Sequence, residues 1–498
     1  MSKVENVGEE VGPRAGALVE SLRDLGYTLP SALADLIDNS VANEASEVRL
    51  WIVGPTEEGF DAVKPHIAIL DNGRGMGLRK LVEAMRMGGE GPEEARRESD
   101  LGRFGLGLKT ASLSQGRRFT VVTKNTQSEV ISRCWDIGHI KKTDKFELLT
   151  SISTEVSDYM SYLDKFDSGT LVVIEELDRP QFIRPGKSKQ RLLASALEDV
   201  QFHLGMVFHR FIEDGDLKIF LGEEEIEPWD PFVRNLSTKS AEEVLQLNGS
   251  PVKIVPYILP HRSSFGDDEK AHQKAGGQKG WQFHQGFYIY RNKRLIVPGT
   301  WLNLEVTKEL HYNLARIQVD ISNEQDEFWH LNVMKSHVAA PSALHDDFTR
   351  IAKAVRGKAN DVFRVRGERE SPSKPSPIVH LWTRKEEKYG VSFRVNRQHP
   401  AIDALLQESC RHVGLLGDVL SLIERHLPLT SIVQNQTRVL DGISESKDQD
   451  IEKLWALYNQ LVEFYVRSGE DIDEAQLRLL RSHPFASYAD DLKERLSR

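Results

Sequence analysis

Cysteine is almost missing from this chain of 498 residues, with Cys134 and Cys410 the only two. Thiols so far apart supply neither a disulfide framework nor a metal knuckle, and they fit a reducing compartment. Long apolar runs are missing as well: none approaches the roughly 18 residues that span a bilayer. The opening MSKVENVGEE has no signal-peptide pattern. The expectation is a cytoplasmic protein with no membrane partner. Basic excess is also lacking, since the formal net charge is −10. That excludes a surface coated for nucleic acid but leaves room for a local basic groove. Repeats, low-complexity tracts and an acidic and histidine metal cluster of the kind a nuclease needs are absent too. What remains is ordinary: 39% hydrophobic and 28% charged residues describe a folded globular chain. Its length suits about two or three domains.

The most informative stretch is GRFGLGLKTAS, Gly102–Ser112. Gly102, Gly105 and Gly107 clear side chains from a backbone that must approach something bulky, and Lys109 follows at once. A glycine turn opening into a helix presents spare N–H groups and a positive dipole end, which suits phosphate. Standing alone, the same run reads equally as a tight turn. Upstream, Pro30 introduces a helix, with Ser31 as its cap and Leu33, Leu36, Ile37 and Val41 as its buried stripe. Asp35 and Asn39 lie on one side of it, about 40° apart. A solvated polar face is the plain alternative.

Strands are expected at Val48–Val53 and His66–Leu70, the second running into DNGRGMG. Asp71 then closes a strand, and Gly73 and Gly75 leave space beside it for a flat ligand. An Asp-Asn-Gly turn is the competing reading. Residues 78–87 read as a helix, and the glycine-bounded charged segment after Gly88 as a lid. Strands at Phe119–Lys124, Glu129–Ile137 and, after Gly169–Thr170, Leu171–Leu177 complete a mixed α/β layer of mostly antiparallel strands.

Taken in order, an Asp/Asn helix, a DxGxG turn, GxxGxGxK opening a helix and a Gly-Thr before a buried strand resemble the GHKL ATPase superfamily. That superfamily includes gyrase subunits, MutL, heat-shock chaperones and histidine kinases. The wording of GRFGLGLKTAS and ADLIDNSVA is most similar to the MORC and bacterial MORC-like branch. The resemblance covers roughly residues 15–180 strongly and roughly 220–345 moderately, and is faint beyond. It implies ATP and Mg²⁺ as ligands. Asn39 would carry the Mg²⁺, Asp71 would accept the adenine amino group, and Gly73, Gly75 and Met76 would flank the base. Gly102, Arg103, Phe104, Gly105, Leu106, Gly107 and Lys109 would hold the phosphates, and Thr170 would orient Asp71. Asp35 would be the base, with Asp38 the alternative. Most ATP-hydrolysing relatives have Glu at the position of Asp35. The side chain here is one methylene shorter, which implies a closer helix or slow hydrolysis.

The implied fold class is α/β, an α+β sandwich. A Bergerat-type ATP-binding domain (1–222) precedes a transducer-like βαβ domain (223–368), a linker (369–378) and a mainly helical C-terminal domain (379–498). Ile219–Phe232 reads as a hairpin, and Val252–Leu259, Gly286–Val297 and Ala315–Ser322 as strands, with a loop of His, Gly and Lys between the first two strands. In such relatives a transducer lysine reaches the γ-phosphate. Lys335 is the candidate and Lys308 the runner-up, and a solvated loop lysine is the plain reading. A helix over 342–366 carries Arg350, Lys353, Arg356, Lys358, Arg364 and Arg366. It reads either as a salt-bridged surface or as a DNA-facing strip with Arg291, Lys293 and Arg294. Further on, SPSKPSP reads as a stiff linker and His380–Asn396 as a hairpin. Leu415–His426 and Ile451–Val466 read as helices, the second with an aromatic core stripe.

The resemblance implies an ATPase that dimerises on ATP and acts on DNA or in a DNA-directed, antiviral complex with a nuclease or other subunit. A chaperone-like ATPase is the alternative. A histidine kinase fits less well, because no histidine precedes Asp35.

Overall fold

The computed structural model describes residues 12–54, 64–88, 107–179, 187–266, 268–325, 328–329 and 340–370, then 379, 381–387, 390–408, 420, 447–482, 485, 489, 492 and 495. They fall into two compact units, Met1–Arg364 and Val365–Arg498.

The first unit holds two sheets. One is seven-stranded, in the order β4-β3-β5-β2-β1-β6-β7. Its strands are β1 (Glu47–Val53), β2 (His66–Asp71), β3 (Gly116–Lys124), β4 (Ile131–Asp136), β5 (Gly169–Leu177), β6 (Lys218–Leu221) and β7 (Glu224–Glu225). Every pair is antiparallel except β1 with β6. The helices around it are α1 (Ala15–Arg23), α2 (Leu29–Ala42), α3 (Leu78–Met85), α4 (Gly107–Gln115), α5 (Ile137–Thr143), α6 (Thr154–Leu163), α7 (Lys187–Val207) and α8 (His209–Glu213).

Strand β2 is buried at every position, as its unbroken apolar run requires. Alternation sorts its side chains between two faces. Ile67 and Ile69 join Leu33, Leu36, Val121 and Val172 in the core beneath α2. Ala68 and Leu70 join Val122, Leu171 and Val173 beneath α6, through Val156, Tyr159 and Leu163. Asp71 continues the alternation on the α2 face, and the β2–β5 register sets Thr170 opposite it. Two strands thus deliver their last polar residues to one spot.

The second sheet runs β12-β11-β13-β10-β8, with β9 also on β10. Its strands are β8 (Thr238–Lys239), β9 (Glu243–Leu247), β10 (Ser250–Ile258), β11 (Gly286–Arg291), β12 (Arg294–Thr300) and β13 (Ala315–Ile321). Between β10 and β11 the chain forms α9 (Glu269–Gly276) and α10 (Gly280–Phe283), where the sequence reads as a plain loop. Asp268 caps α9 by accepting from Ala271 N, a local bond that compensates for scant apolar content. Helix α11 (His345–Glu370) buries Phe348, Ile351, Ala352, Val355 and Ala359, and Phe348 packs 5.0 Å from Phe287 of β11.

The second unit contains the hairpin β14 (Trp382–Glu387) and β15 (Gly390–Val395), and helices α12 (Pro400–Glu408), α13 (Lys447–Arg467) and α14 (Ile472–Leu480). Tyr458, Leu461, Val462 and Tyr465 of α13 form its core with Ala475 and Leu479. The 371–377 linker and most of the 415–426 helix lie outside the described residues. Among the described residues, no helix is long and apolar enough to cross a membrane.

Candidate functional site

Helix α2 is the wall of the site. Its cap is Thr28 rather than Ser31: Thr28 Oγ1 accepts from Ser31 N while Ser31 Oγ accepts from Thr28 N. This capping box starts the helix earlier than Pro30 suggests. Packed between the sheet, α4 and α7, α2 buries Asp35, Asp38 and Ser40 along with its apolar stripe. Ser40 Oγ donates to Asp71 Oδ2 at 2.9 Å, which ties helix to strand.

Asp71 sits in a tight cradle. Gly73 N donates to its Oδ1 at 2.9 Å. Burial pushes Asp71 up to about 6, while the Gly73 N–H, the Ser40 hydroxyl and the Thr170 backbone hold it down. Gly169 is needed beside it, since a Cβ there would stand 2.3 Å from Asp71 O. The turn after Asp71 is equally close-fitting. Gly75 has φ +62°, and a Cβ on it would meet Lys124 O at 1.8 Å. Met76 N donates to Thr123 Oγ1, which itself donates to Gly169 O, so the turn is pinned to both β3 and β5. Gly75→Ala therefore meets backbone on both counts and is expected to cost about 3 kcal/mol or more. Chemical denaturation measures this, and a loss under about 1 kcal/mol contradicts the close approach.

A cavity opens against this cradle. Its lining includes Asn39, Ser40, Asp71, Gly75, Met76 and Thr170, with Leu36, Ile69, Leu108, Val121 and Val172 as apolar walls. Such a mixture of apolar walls and one buried carboxylate suits the amine-bearing edge of an apolar ring. Asn39 donates its amide nitrogen to Asp35 O at 3.0 Å, and its Oδ1 makes no hydrogen bond among the described residues. That leaves an oxygen donor at the mouth, of the type magnesium prefers.

Asp35 lies one turn back along α2. Tyr27 donates its hydroxyl to Asp35 Oδ2 at 2.7 Å, and burial and the Asp35 charge push the phenol well above its usual range. The same Asp35 oxygen faces Gly107, the first residue of α4, where a Cβ would come within 3.5 Å. The carboxylate thus stands at a helix start, beside the end of the glycine run. Asp38 points elsewhere: its Oδ1 accepts from Arg294 Nε at 3.0 Å, with both side chains buried. That ion pair gives Asp38 a structural partner from β12.

Other candidates fall differently. Lys109 is buried, and its ammonium donates to Ala84 O near the end of α3 at 3.1 Å. Burial lowers it to about 8, partly offset by the Glu83 charge. Lys308 donates to Gly299 O of β12 at 2.6 Å and to Phe283 O of α10. Gly102, Arg103, Phe104, Gly105, Leu106 and Lys335 lie outside the described residues. The basic strip loses several members. Arg291 and Arg294 are buried, Lys293 is held by Asp214 and Asp216, and Arg350 pairs with Glu243 and Asp347. Arg356 lies over Tyr312 and donates to Thr307 O. Lys353 and Lys358 remain exposed.

Sequence reasoning missed Tyr27, Ser40 and the apolar walls. A tyrosine eight residues before Asp35 has no motif to announce it. Ser40 could have been found, because it follows Asn39 on the same helix.

Residues 27–170 match the family model for the histidine kinase-, DNA gyrase B-, and HSP90-like ATPases. The match begins at Tyr27 and ends at Thr170, so it spans the α2, β2, α4 and β5 contributions to the site. It supports a GHKL-type ATPase domain in this part of the chain, with ATP binding and hydrolysis as the general activity. No curated protein matches the chain.

Proposed function

We propose that the chain is a slow, magnesium-dependent ATPase that pairs two copies on binding nucleotide and works on DNA or within a DNA-directed defence complex. The observation that supports it most is the convergence of Asn39, Asp71, Met76 and Thr170 on one cavity, with Asp35 a turn away on the same helix. Asp71 accepts the adenine amino group and selects the base. Gly73, Gly75 and Met76 flank the ring. The Gly102–Gly107 backbone and Lys109 hold the phosphates, Lys109 exchanging Ala84 O for them. Asn39 Oδ1 would hold Mg²⁺, which when bound would supply charge neutralisation for the phosphates. Asp35 takes the proton of the attacking water, and Lys335 contacts the γ-phosphate. The MORC-like branch, the dimer and the DNA target rest on the sequence resemblance.

Steady-state phosphate release with and without EDTA, and sedimentation with a non-hydrolysable ATP analogue, test this. Expected are turnover below the ~10 s⁻¹ typical of enzymes, loss of it on chelation, and doubling of mass. DNA-stimulated turnover supports a DNA target, and stimulation only by unfolded protein supports the chaperone reading. Absence of both binding and turnover ends the proposal.

A further inference from the structure

The hairpin of β11 and β12 turns through Asn292 and Lys293, both at positive φ (49° and 68°), with Arg291 and Arg294 paired at its base. A two-residue turn of this kind is stiff and fixes where the next side chain starts. Arg294 leaves that turn directly toward α2. Its Nε donates to Asp38 Oδ1 at 3.0 Å, its Nη1 donates to Leu295 O at 2.6 Å, and its guanidinium stands 5.6 Å from the Phe208 ring. The exposed neighbour Lys293 is bound to Asp214 Oδ2 and Asp216 Oδ2, just before β6. Deeper in the interface, His209 of α8 meets Tyr290 OH of β11 at 2.8 Å. Polar contacts of Arg294, Lys293 and Tyr290 thus fasten the hairpin to the first sheet's half, and the Arg294 contact reaches the helix that carries Asp35 and Asn39.

Asp38 precedes Asn39 and lies three residues after Asp35, so the three project within about 100° of arc. Stability alone is a weak reason for such a pair, because burying both charges costs about as much as their attraction returns. The better-attested use of a buried pair is to fix a register. A general base and a metal ligand need positions good to about half an ångström.

We propose that Arg294 is a positioning residue for ATP turnover. By clamping Asp38 it sets the axial position and rotation of α2, and the second sheet thereby governs whether Asp35 and Asn39 stand in working geometry. This rests on the ATPase reading above.

The test uses the full chain and three variants: Arg294→Met, Arg294→Lys, and the double Asp38→Leu/Arg294→Met, which replaces the pair by apolar side chains. Fluorescent-ATP affinity, kcat and melting temperature are read for each. The expected result is a fall in kcat of tenfold or more for Arg294→Met, with affinity within threefold of wild type and partial recovery of kcat in Arg294→Lys. In the double variant the melting temperature returns toward wild type while kcat stays low. A double variant whose kcat lies within twofold of wild type overturns the proposal and leaves the pair purely structural. If Arg294→Met does not fold, the double and the lysine variant decide between these outcomes. A wild-type chain that neither binds nor hydrolyses ATP instead removes the ATPase reading, and this inference with it.

Discussion

Replacing Asp71 by asparagine should sharply weaken nucleotide binding and at the same time raise thermal stability at neutral pH. The carboxylate is buried on Ser40 and Gly73, and burial pushes it up to about 6 from 3.8. A raised value means that the folded chain holds a proton the unfolded chain has already released. Ionisation therefore costs stability: nothing below about 3.8, progressively more up to about 6, and the full amount above. An amide carries no such cost, so Asp71→Asn should gain on the order of 1–3 kcal/mol at pH 8 and nothing near pH 4. Affinity for ATP should fall on the order of 100-fold, because an adenine amine facing an amide that can turn its own N–H₂ toward it loses its charged acceptor. Calorimetry and nucleotide titration at pH 8 and pH 4 check both halves. Binding within threefold of wild type would remove Asp71 from base recognition.

The second large effect concerns turnover. Asp35→Asn keeps the size of the side chain and an oxygen for the Tyr27 hydroxyl, and removes only the basic group. Hydrolysis should drop by about 100-fold or more while ATP affinity stays within a few-fold. Asn39→Ala should do the opposite at the binding step, losing the magnesium-dependent part of affinity. Tyr27→Phe removes the phenol that occupies Asp35 Oδ2 and should raise kcat several-fold at unchanged affinity. Single-turnover phosphate release with parallel binding measurements separates these cases. Equal hydrolysis by Asp35→Asn and wild type would disqualify Asp35 as the base.

The sequence was most readable where backbone geometry depends on residue type. Gly73 and Gly75, read as leaving space for a ligand, stand where Asn43 O and Lys124 O leave no room for a Cβ, and the apolar runs of β2 and β5 match strands buried on both faces. Long-range partners were not readable. Arg294 sits among Arg291 and Lys293 and so reads as part of a basic surface, because the acid that buries it is 256 positions away. Lys109 follows the glycine run, but four methylenes let its ammonium reach Ala84 O instead of the cavity. Helices α9 and α10 are too short and polar to show a period. The Asp268 cap holds α9, and the stacking of Trp281 on His272 holds α10 against it.

The bond between Tyr27 and Asp35 has a temporal meaning. As the proposed base, a carboxylate already engaged by a phenol, and short by one carbon, would meet its water seldom. In the proposed cycle each ATP would then serve as an hourglass rather than as fuel, and the quantity under control would be how long the loaded pair persists before it lets go.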